Sequence, residues 1–422
     1  MLERPELSDT KLETDIIMPE THVIIGAGHA GGQAAASLRG NGFEGRIVMI
    51  GEEPYVPYQR PPLSKKFLAG EMPMEKTYLK PPAFYQEQAV DLHLSTPAGA
   101  VDRQAREVHL ADGTKVSYDK LLLTTGSVVR KLPVPGVDLA GVHYLRTIDD
   151  VIGIQRDFQP GARLVVVGAG YIGLEVAAVA VKKGLKVTVL ERESRPLSRV
   201  TGSETASFYG EVHRAEGVDI RCHTTVASFQ GEGRVSAVTS TEGATFPADL
   251  VVIGVGILPA TGLAERAGLK VDNGIQVDDY ARTSDPHIWA AGDCTSHESG
   301  LYGYWMRLES VQNALDQART AAASMCDKPT PYNAVPRFWS DQYDLKLQIA
   351  GLCGDVEETV LRGDPAARKF SVFYLRDGAV VAVDCVNQPQ EFMLARKLIE
   401  GRMRPDRARL SDPGVALKEI IG

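Results

Sequence analysis

Two glycine-rich segments of the same spacing constrain this chain more than any other feature. Residues 26–31 read Gly-Ala-Gly-His-Ala-Gly, and residues 168–173 read Gly-Ala-Gly-Tyr-Ile-Gly. Each segment follows a short apolar run and opens an alanine-rich stretch, which predicts a strand followed by a helix. Each then continues into a second apolar run that leads to an acid, Glu52 in the first copy and Glu191 in the second. Each copy therefore predicts a complete mononucleotide-binding unit.

Every position of this pattern has a physical role. The first glycine allows a tight turn, the second lets the backbone approach a pyrophosphate, and the third lets helix pack on strand. The helix N-terminus faces the phosphates, and the acid accepts a ribose hydroxyl. Glu53 rivals Glu52 for this role, because strand ends are uncertain by about one residue. The alternative is a glycine-rich turn in some other α/β unit. Two such sites in one chain predict two dinucleotides that react with each other, most naturally a resident flavin and a visiting nicotinamide.

Length and composition agree with an ordinary soluble globular protein. The chain has 422 residues, enough for two or three domains, and is 44% hydrophobic and 24% charged. Its apolar runs are too short to span a bilayer. Residues 1–20 are polar and acidic and lack the apolar core of a signal peptide, so we expect a cytoplasmic protein.

Cysteine and charge patterns narrow the function further. The five cysteines include no Cys-x-x-Cys pair, which argues against a metal site, an iron–sulfur cluster or a dithiol relay. The formal net charge of −8 argues against a nucleic-acid binder. The segment 396–409 nevertheless carries six basic and two acidic residues. It is either a solvated face or a landing patch for an acidic partner.

The order of the patterns predicts an α/β fold with two Rossmann-like dinucleotide-binding domains and a C-terminal α+β domain with an antiparallel sheet. Pro/Gly-rich crossings at 132–136 and 256–259 suggest domain boundaries. After residue 329, short alternating runs indicate antiparallel strands, followed by a helix at about 390–400. The expected parts are a tail at 1–20, a flavin domain at 21–135 and 257–330, a nicotinamide domain at 136–256, and the C-terminal domain at 331–422.

The chain resembles a known family. The two fingerprints, Thr124-Thr125-Gly126, the Gly292-Asp293 turn and the small C-terminal domain look like those of the two-dinucleotide flavoprotein reductases. Four longer motifs resemble the putidaredoxin reductase type: RPPLSK at 60–65, GYIGLE at 170–175, RLESV at 307–311 and FWSDQY at 338–343. The resemblance runs from residue 21 to 422. It implies an oxidoreductase that takes hydride from NADH onto FAD and passes single electrons to a [2Fe-2S] ferredoxin serving a cytochrome P450 monooxygenase.

Pattern and resemblance together give a candidate FAD site. The turn and the acid contribute Gly26, Gly28, Ala30, Gly31 and Glu52. The resemblance adds residues along the flavin or its adenine: Arg60, Lys65, Ala98, Thr125, Gly126, Arg146, Val311 and Trp339. It gives the backbone of Val311 to the pyrimidine edge, and Trp339 covers part of the ring. Asp293 is predicted in a strand-to-helix turn, where its carboxylate accepts a ribityl hydroxyl or simply caps the helix.

The NADH site is predicted in the same way from the second unit. Its turn contributes Gly168, Gly170, Ile172 and Gly173. Glu191 favours NADH, because a carboxylate accepts ribose hydroxyls and repels a 2′-phosphate. Three nearby arginines complicate this preference, since arginine can hold such a phosphate: Arg192, Arg195 and Arg199. The resemblance assigns Arg199 to the NADH pyrophosphate instead, and Gly256 lets the nicotinamide ribose pass closely.

The resemblance also implies a catalytic pair and a docking site. Lys65 and Glu175 would lie beside the flavin N5, where they position the nicotinamide and balance charge. Their alternative role is a structural salt bridge between domains. An acidic ferredoxin would dock on four residues: Arg319, Trp339, Arg396 and Lys418.

Other functions fit the same patterns. A reductase component of an aromatic-ring dioxygenase, or a rubredoxin reductase, would share the site and differ in the docked partner. From another class, a redox-sensing NADH-binding flavoprotein would turn over slowly and use its redox state to control association.

Overall fold

The computed structural model describes residues 20–354 and 356–421, so the predicted N-terminal tail lies outside the described residues except for Glu20. Two five-stranded sheets, parallel throughout, form the body of the molecule. The first has the order Ile288–Ala290, Lys120–Leu123, Thr21–Ile25, Arg46–Ile50 and Val90–His93. The second has the order Asp219–Arg221, Lys186–Leu190, Arg163–Val167, Leu250–Ile253 and Val142–Tyr144. Each is a Rossmann-like sheet with a glycine-rich turn after its central strand, as the fingerprints predicted.

The central strands are almost wholly apolar because parallel sheets are covered on both faces. In the first sheet, Ile24 and Met49 pack against Leu38 of the helix His29–Gly40. The second sheet is covered in the same way by the helix Tyr171–Lys182. The remaining α-helices lie around these sheets and the C-terminal domain: Pro82–Glu87, Ile148–Asp157, Ser203–Ala215, Gly262–Arg266, Val311–Met325, Pro389–Glu400, Arg407–Ser411 and Leu417–Ile421.

Smaller sheets complete the two nucleotide units. An antiparallel ribbon pairs Ser127–Val129 with Ile257–Pro259, so the two passages of the chain between the parallel sheets lie side by side. Two three-stranded antiparallel sheets and one mixed sheet are also present: Ala98–Asp102 with Glu107–Leu110 and Lys115–Ser117; Val226–Gln230 with Ala237–Ser240 and Thr245–Pro247; Ile275–Val277 with Thr295–Glu298 and Trp305–Met306. Short 3₁₀ turns are formed by Pro61–Ser64 and Met74–Lys76.

The C-terminal domain is an antiparallel sheet backed by a helix, which confirms the predicted class. Its strand order is Arg337–Gln342, Leu345–Gly351, Ala379–Val386, Lys369–Arg376 and Glu358–Asp364. The helix Pro389–Glu400 packs on it through Phe392, Ala395 and Leu398.

A buried carboxylate lies where this sheet meets the second nucleotide unit. Asp384 accepts a hydrogen bond from the Tyr374 hydroxyl at 2.6 Å, and that hydroxyl accepts one from the Gly202 N–H at 2.9 Å. Burial raises the pKa of Asp384 from 3.8 to about 7, and the hydrogen bond from Tyr374 opposes the rise only in part. The folded protein therefore holds this proton more tightly than the unfolded chain.

We expect this carboxylate to make stability depend on pH. The folded-state pKa of Asp384 is the raised one, so its contribution is complete below about pH 4 and is lost as pH rises to about 7. Asp384→Asn cannot titrate, so its melting temperature should exceed that of the wild type by several degrees at pH 8, and the difference should disappear at about pH 4. Thermal melts at both values test this. If the variant exceeded the wild type by the same margin at both pH values, the prediction would be contradicted.

Candidate functional site

Both glycine-rich turns open onto one continuous cleft with a volume of about 2130 Å³. Glu52 and Glu191 line this cleft, and the C-terminal domain adds Phe338 and Trp339. Trp339 is 39% exposed, so it stands at the rim rather than in the core. The fold thus brings the two predicted dinucleotide sites and the cover into a single cavity.

The first turn has the packing expected for close approach to a phosphate. Gly26 has φ +114°, and a Cβ there would lie 2.2 Å from the Thr124 carbonyl oxygen. A Cβ at Gly31 would lie 2.0 Å from the carbonyl oxygen of Gly26. Gly28 is different: a Cβ there would meet open space, and no side chain caps the helix that starts after it. The first and third glycines are required by packing, and the second leaves the helix N-terminus open to an anion. Ala30 follows in the helix and lines the cleft.

The second turn repeats this geometry. A Cβ at Gly168 would lie 2.5 Å from the Gly254 carbonyl oxygen, and one at Gly173 would lie 2.0 Å from the Gly168 carbonyl oxygen. Gly170 again faces open space and caps its helix without a side-chain hydrogen bond. Ile172 is 41% exposed in the first turn of this helix and lines the cleft.

The contacts separate the two candidate acids of the first unit. Glu53 accepts a hydrogen bond from the Tyr58 hydroxyl at 2.5 Å and pairs with Arg60 at 3.0 Å. Glu52 is exposed in the cleft and makes no side-chain hydrogen bond or ion pair with the described residues. These contacts occupy the Glu53 carboxylate and leave that of Glu52 available to a ribose hydroxyl.

Glu191 is held against the second turn. One carboxylate oxygen accepts from the Ala169 N–H at 2.6 Å, and the other accepts from the Glu193 N–H at 2.9 Å. Each oxygen keeps a further lone pair for a ligand hydroxyl. The Arg192 guanidinium pairs instead with the Glu193 carboxylate at 2.8 Å.

The other two arginines of this region lie further along the loop. Arg195 reaches the Thr201 carbonyl oxygen at 3.5 Å, and Arg199 is exposed at the cleft. Gly256 has φ +105°, and a Cβ there would lie 3.3 Å from the Arg199 guanidinium. Arg199 and Gly256 therefore lie next to each other in the wall of the cleft.

Two partly buried arginines, each with a carboxylate partner, lie at one end of the cleft. Arg146 donates to the Ser127 hydroxyl at 2.6 Å and lies 3.4 Å from a carboxylate oxygen of Asp293. The Arg60 guanidinium donates to the Arg146 carbonyl oxygen at 2.5 Å. Burial, followed by repulsion from these two arginines, lowers the pKa of His29 to about 4. His29 is therefore neutral near pH 7, and the cationic groups beside it are Arg60 and Arg146, which pair with Glu53 and Asp293.

The remaining predicted flavin contacts also line the cleft. The Thr125 hydroxyl donates to the Ala260 carbonyl oxygen at 2.7 Å, and Gly126 has φ +67°. Ala98 begins a strand at the cleft wall. Val311 starts the helix Val311–Met325, so its N–H is one of the first-turn donors that have no acceptor within the helix.

The predicted surroundings of Asp293 are wrong. The turn at Gly292-Asp293 leads into the strand Thr295–Glu298, and the next helix begins only at Val311. The strand forms because Thr295 and its neighbours pair in parallel with Ile275–Val277, and this tertiary pairing replaces the expected helix. Asp293 therefore caps no helix. Its carboxylate faces the cleft and accepts from the Ser127 hydroxyl at 2.8 Å.

Lys65 and Glu175 meet at the junction of the two units. The Lys65 ammonium lies 2.6 Å from one carboxylate oxygen of Glu175, whose side chain is 2% exposed. Both residues line the cleft. Sequence reasoning missed two further partners of this carboxylate, Ser64 and Ser340, which donate to it at 2.5 and 2.6 Å. Both serines stand in the quoted motifs, and the inward orientation of Ser340 is seen only in the burial alternation of the strand Arg337–Gln342 in the structure.

The predicted docking residues lie on three different helices and one strand. Arg319 is exposed and pairs with Asp316 at 2.6 Å, and Arg396 is partly buried and lies 3.5 Å from Glu400. Lys418 is exposed near the C-terminus.

The basic segment 396–409 is not one uniform patch. Arg402 donates to the Leu301 carbonyl oxygen at 2.7 Å, and Arg407 pairs with Glu358. Lys397 and Arg404 are exposed. Arg402 therefore joins the C-terminal domain to the flavin unit, Arg407 makes an ion pair within the domain, and only part of the segment is available to a partner.

Known proteins share this arrangement. Residues 20–318 match the pyridine nucleotide-disulphide oxidoreductase family, and residues 337–421 match the reductase C-terminal domain. Putidaredoxin reductase of Pseudomonas putida is 44% identical over 94% of this chain and 96% of its own length. The crystal structure of the ferredoxin reductase for the CYP199A2 system of Rhodopseudomonas palustris superposes with a TM-score of 0.93 at 41% identity, covering 96% of this chain and all of that one.

The chain belongs to the putidaredoxin reductase-type ferredoxin reductases. These are FAD-dependent oxidoreductases that use NAD(H). Another similar protein is the ferredoxin–NAD⁺ reductase component of the anthranilate 1,2-dioxygenase system of Burkholderia cepacia, 41% identical over 94% of this chain and 98% of its own length. Members of the type thus carry names from more than one oxygenase system.

The cleft of this ferredoxin reductase fits both cofactors. Each dinucleotide needs a helix N-terminus without a side-chain cap, and Gly28 and Gly170 provide one each. The partly buried Arg60 and Arg146 suit the anionic groups of a flavin dinucleotide. None of the helices in the described part of the chain has the length and apolarity that crossing a membrane requires.

Proposed function

We propose that this ferredoxin reductase transfers electrons from NADH through FAD to an acidic [2Fe-2S] ferredoxin that serves a cytochrome P450. The observation that carries the proposal is the single cleft into which both uncapped helix N-termini open, with the Lys65–Glu175 pair at their junction. The chemistry supplied by bound FAD is acceptance of hydride from NADH and release of single electrons. The cytoplasm, where NADH is available, is the compartment we expect.

We propose the following roles for the flavin site. Gly26, Gly28, Ala30 and Gly31 line the pyrophosphate, and Glu52 holds the adenosine ribose. The other contacts run along the adenine, ribityl and ring positions: Ala98, Arg60, Lys65, Thr125, Gly126, Arg146, Asp293, Val311 and Trp339. Asp293 fits a ribityl hydroxyl because it keeps an accepting oxygen toward the cleft.

The second turn would hold NADH in the matching way. The residues we assign to it are Gly168, Gly170, Ile172, Gly173, Glu191, Arg199 and Gly256. Lys65 and Glu175 orient the nicotinamide and compensate charge at the junction. We also propose that the domain boundaries fall after residues 135, 256 and 330.

The P450 assignment is favoured over the alternatives by the motifs and by the CYP199A2-system relative. The dioxygenase relative keeps that alternative open at the same site. Ferredoxin-dependent turnover separates the reductase from a redox-sensing flavoprotein. With NADH and an added putidaredoxin-type ferredoxin, cytochrome c should be reduced steadily. A slow, ferredoxin-independent rate with a persistent charge-transfer band would favour the sensor.

We expect the docking site to be electrostatic. An acidic ferredoxin would be repelled by a net −8 chain unless a local patch were positive, and Arg319, Arg396, Lys418 and the rim residue Trp339 are the proposed patch. Arg319→Glu or Arg396→Glu should lower ferredoxin-dependent turnover about tenfold at low salt, with less effect above physiological salt, where the Debye length is about 8 Å or less.

A matched control is available at Lys183. It is exposed at the far end of the helix Tyr171–Lys182, about 18 Å along the axis from the cleft, so Lys183→Glu makes the same charge change away from the patch. Direct reduction of ferricyanide by NADH should be unchanged in all variants. Equal losses with both acceptors would mean that the arginines support the fold or the flavin site.

A further inference from the structure

A buried chain of hydrogen bonds runs from Glu175 into the C-terminal domain and on to the second nucleotide unit. Ser340 donates to Glu175 at 2.6 Å and accepts from the Gln342 amide nitrogen at 2.9 Å. The Gln342 oxygen lies 2.7 Å from His213 Nε2, and His213 Nδ1 lies 3.0 Å from the Tyr343 hydroxyl. Glu175, Ser340, Gln342 and His213 are each at most 2% exposed.

Each hydrogen bond in this chain has a fixed direction. Glu175 can only accept, so the Ser340 hydroxyl donates to it and must accept from the Gln342 amine. The Gln342 carbonyl oxygen can then only accept, so His213 carries its proton on Nε2. Burial lowers the pKa of His213 to about 4, against an opposing effect of the Gln342 hydrogen bond, so the ring is neutral and Nδ1 accepts from Tyr343. All the donors therefore point toward one carboxylate.

The direction of these hydrogen bonds indicates that the chain supports the Glu175 carboxylate and does not transfer protons to it. The Gln342 amide has no readily exchanged acidic proton to pass between His213 and Ser340, so the chain is not a proton path. Aligned donors in a low-dielectric interior do polarise one another and hold an anion. The strand Arg337–Gln342 places these donors on its buried face. Ser340 and Gln342 share that face, while Trp339 and Asp341 are exposed on the other.

We propose that Ser340, Gln342 and His213 are positioning residues that fix the Glu175 carboxylate toward Lys65 for the NADH-dependent step. A buried carboxylate needs its lone pairs satisfied. Among the described residues, Lys65 and Ser64 contact one oxygen, and Ser340 is the one donor to the other. Without Ser340, the carboxylate could rotate away from the cleft. Through Ser340, the C-terminal domain would contribute to the reduction of the flavin as well as to docking of the partner. This inference rests on the proposed function of the Lys65–Glu175 pair.

The test compares two buried serines in one sheet. Ser340→Ala removes the donor to Glu175, and Ser371→Ala removes an equally buried donor to the Glu391 carboxylate, which it meets at 2.6 Å. In stopped-flow mixing of NADH with the FAD-loaded enzyme, Ser340→Ala should lower the limiting rate of flavin reduction about tenfold. The dissociation constant of NADH should change less than twofold. Ser371→Ala should leave both values unchanged.

Rescue and a second variant exclude a general loss of structure. Ser340→Thr keeps a hydroxyl and should restore most of the rate, and Gln342→Met should lower it in the same direction as Ser340→Ala. Equal rates in wild type and Ser340→Ala would overturn the inference, as would equal losses in the Ser340→Ala and Ser371→Ala variants. Failure of NADH to reduce the wild-type flavin would instead overturn the proposed function itself.

Discussion

Glu175→Ala should slow the reduction of bound flavin by NADH about 100-fold, the scale of losing one preorganised charged group in a dry site. The reason is geometric: this carboxylate lies 2.6 Å from the Lys65 ammonium at the junction of the two nucleotide turns. FAD should stay bound, because the turn residues that we assign to its pyrophosphate are untouched. Stopped-flow absorbance of the oxidised flavin measures the rate.

Two further variants sharpen that result. Glu175→Gln keeps the shape and an acceptor for Ser340 but removes the negative charge. If that charge speeds flavin reduction, the variant should recover little of the rate. Lys65→Ala should also slow reduction and weaken FAD retention, because this lysine lies along the proposed ring site. Unchanged reduction rates in the alanine variants of both residues would leave the pair with the role of a structural salt bridge.

Glu191→Gln should raise the Michaelis constant for NADH by about 10- to 100-fold, from the loss of about 1.5–3 kcal/mol of charged hydrogen bonding to ribose. The turnover number should change little, because the ribose contact is made before and during reaction alike. The gap between NADH and NADPH should narrow, since the variant no longer repels a 2′-phosphate. Steady-state kinetics with both nucleotides measure this.

The prediction for Glu191→Gln also depends on the hydrogen bonds that this side chain makes within the protein. Glu191 also accepts hydrogen bonds from Ala169 and Glu193, and the glutamine carbonyl oxygen can keep one of them. A control is Glu211→Gln, the same change at an exposed position of the helix Ser203–Ala215. If the wild-type enzyme used both nucleotides equally well, the assignment of Glu191 would be wrong.

The sequence by itself determined the local parts of this protein. The glycine turns could be predicted because their spacing is a requirement of backbone geometry: at Gly26 and Gly168, any Cβ would collide with a neighbouring carbonyl oxygen. The parallel strands could be predicted from their continuous apolar runs, and the helix Pro389–Glu400 from its periodicity. The resemblance of the longer motifs supplied the family.

Only the tertiary structure decided how those parts meet. Sequence position favours Glu52 but leaves Glu53 as a rival, and the contacts of Glu53 with Tyr58 and Arg60 separate them. Asp293 precedes a strand rather than a helix because a distant strand pairs with the residues after it. The support of Glu175 by Ser340 joins residues 165 positions apart. Such contacts depend on which surfaces the packed core brings together, and sequence spacing does not encode that information locally.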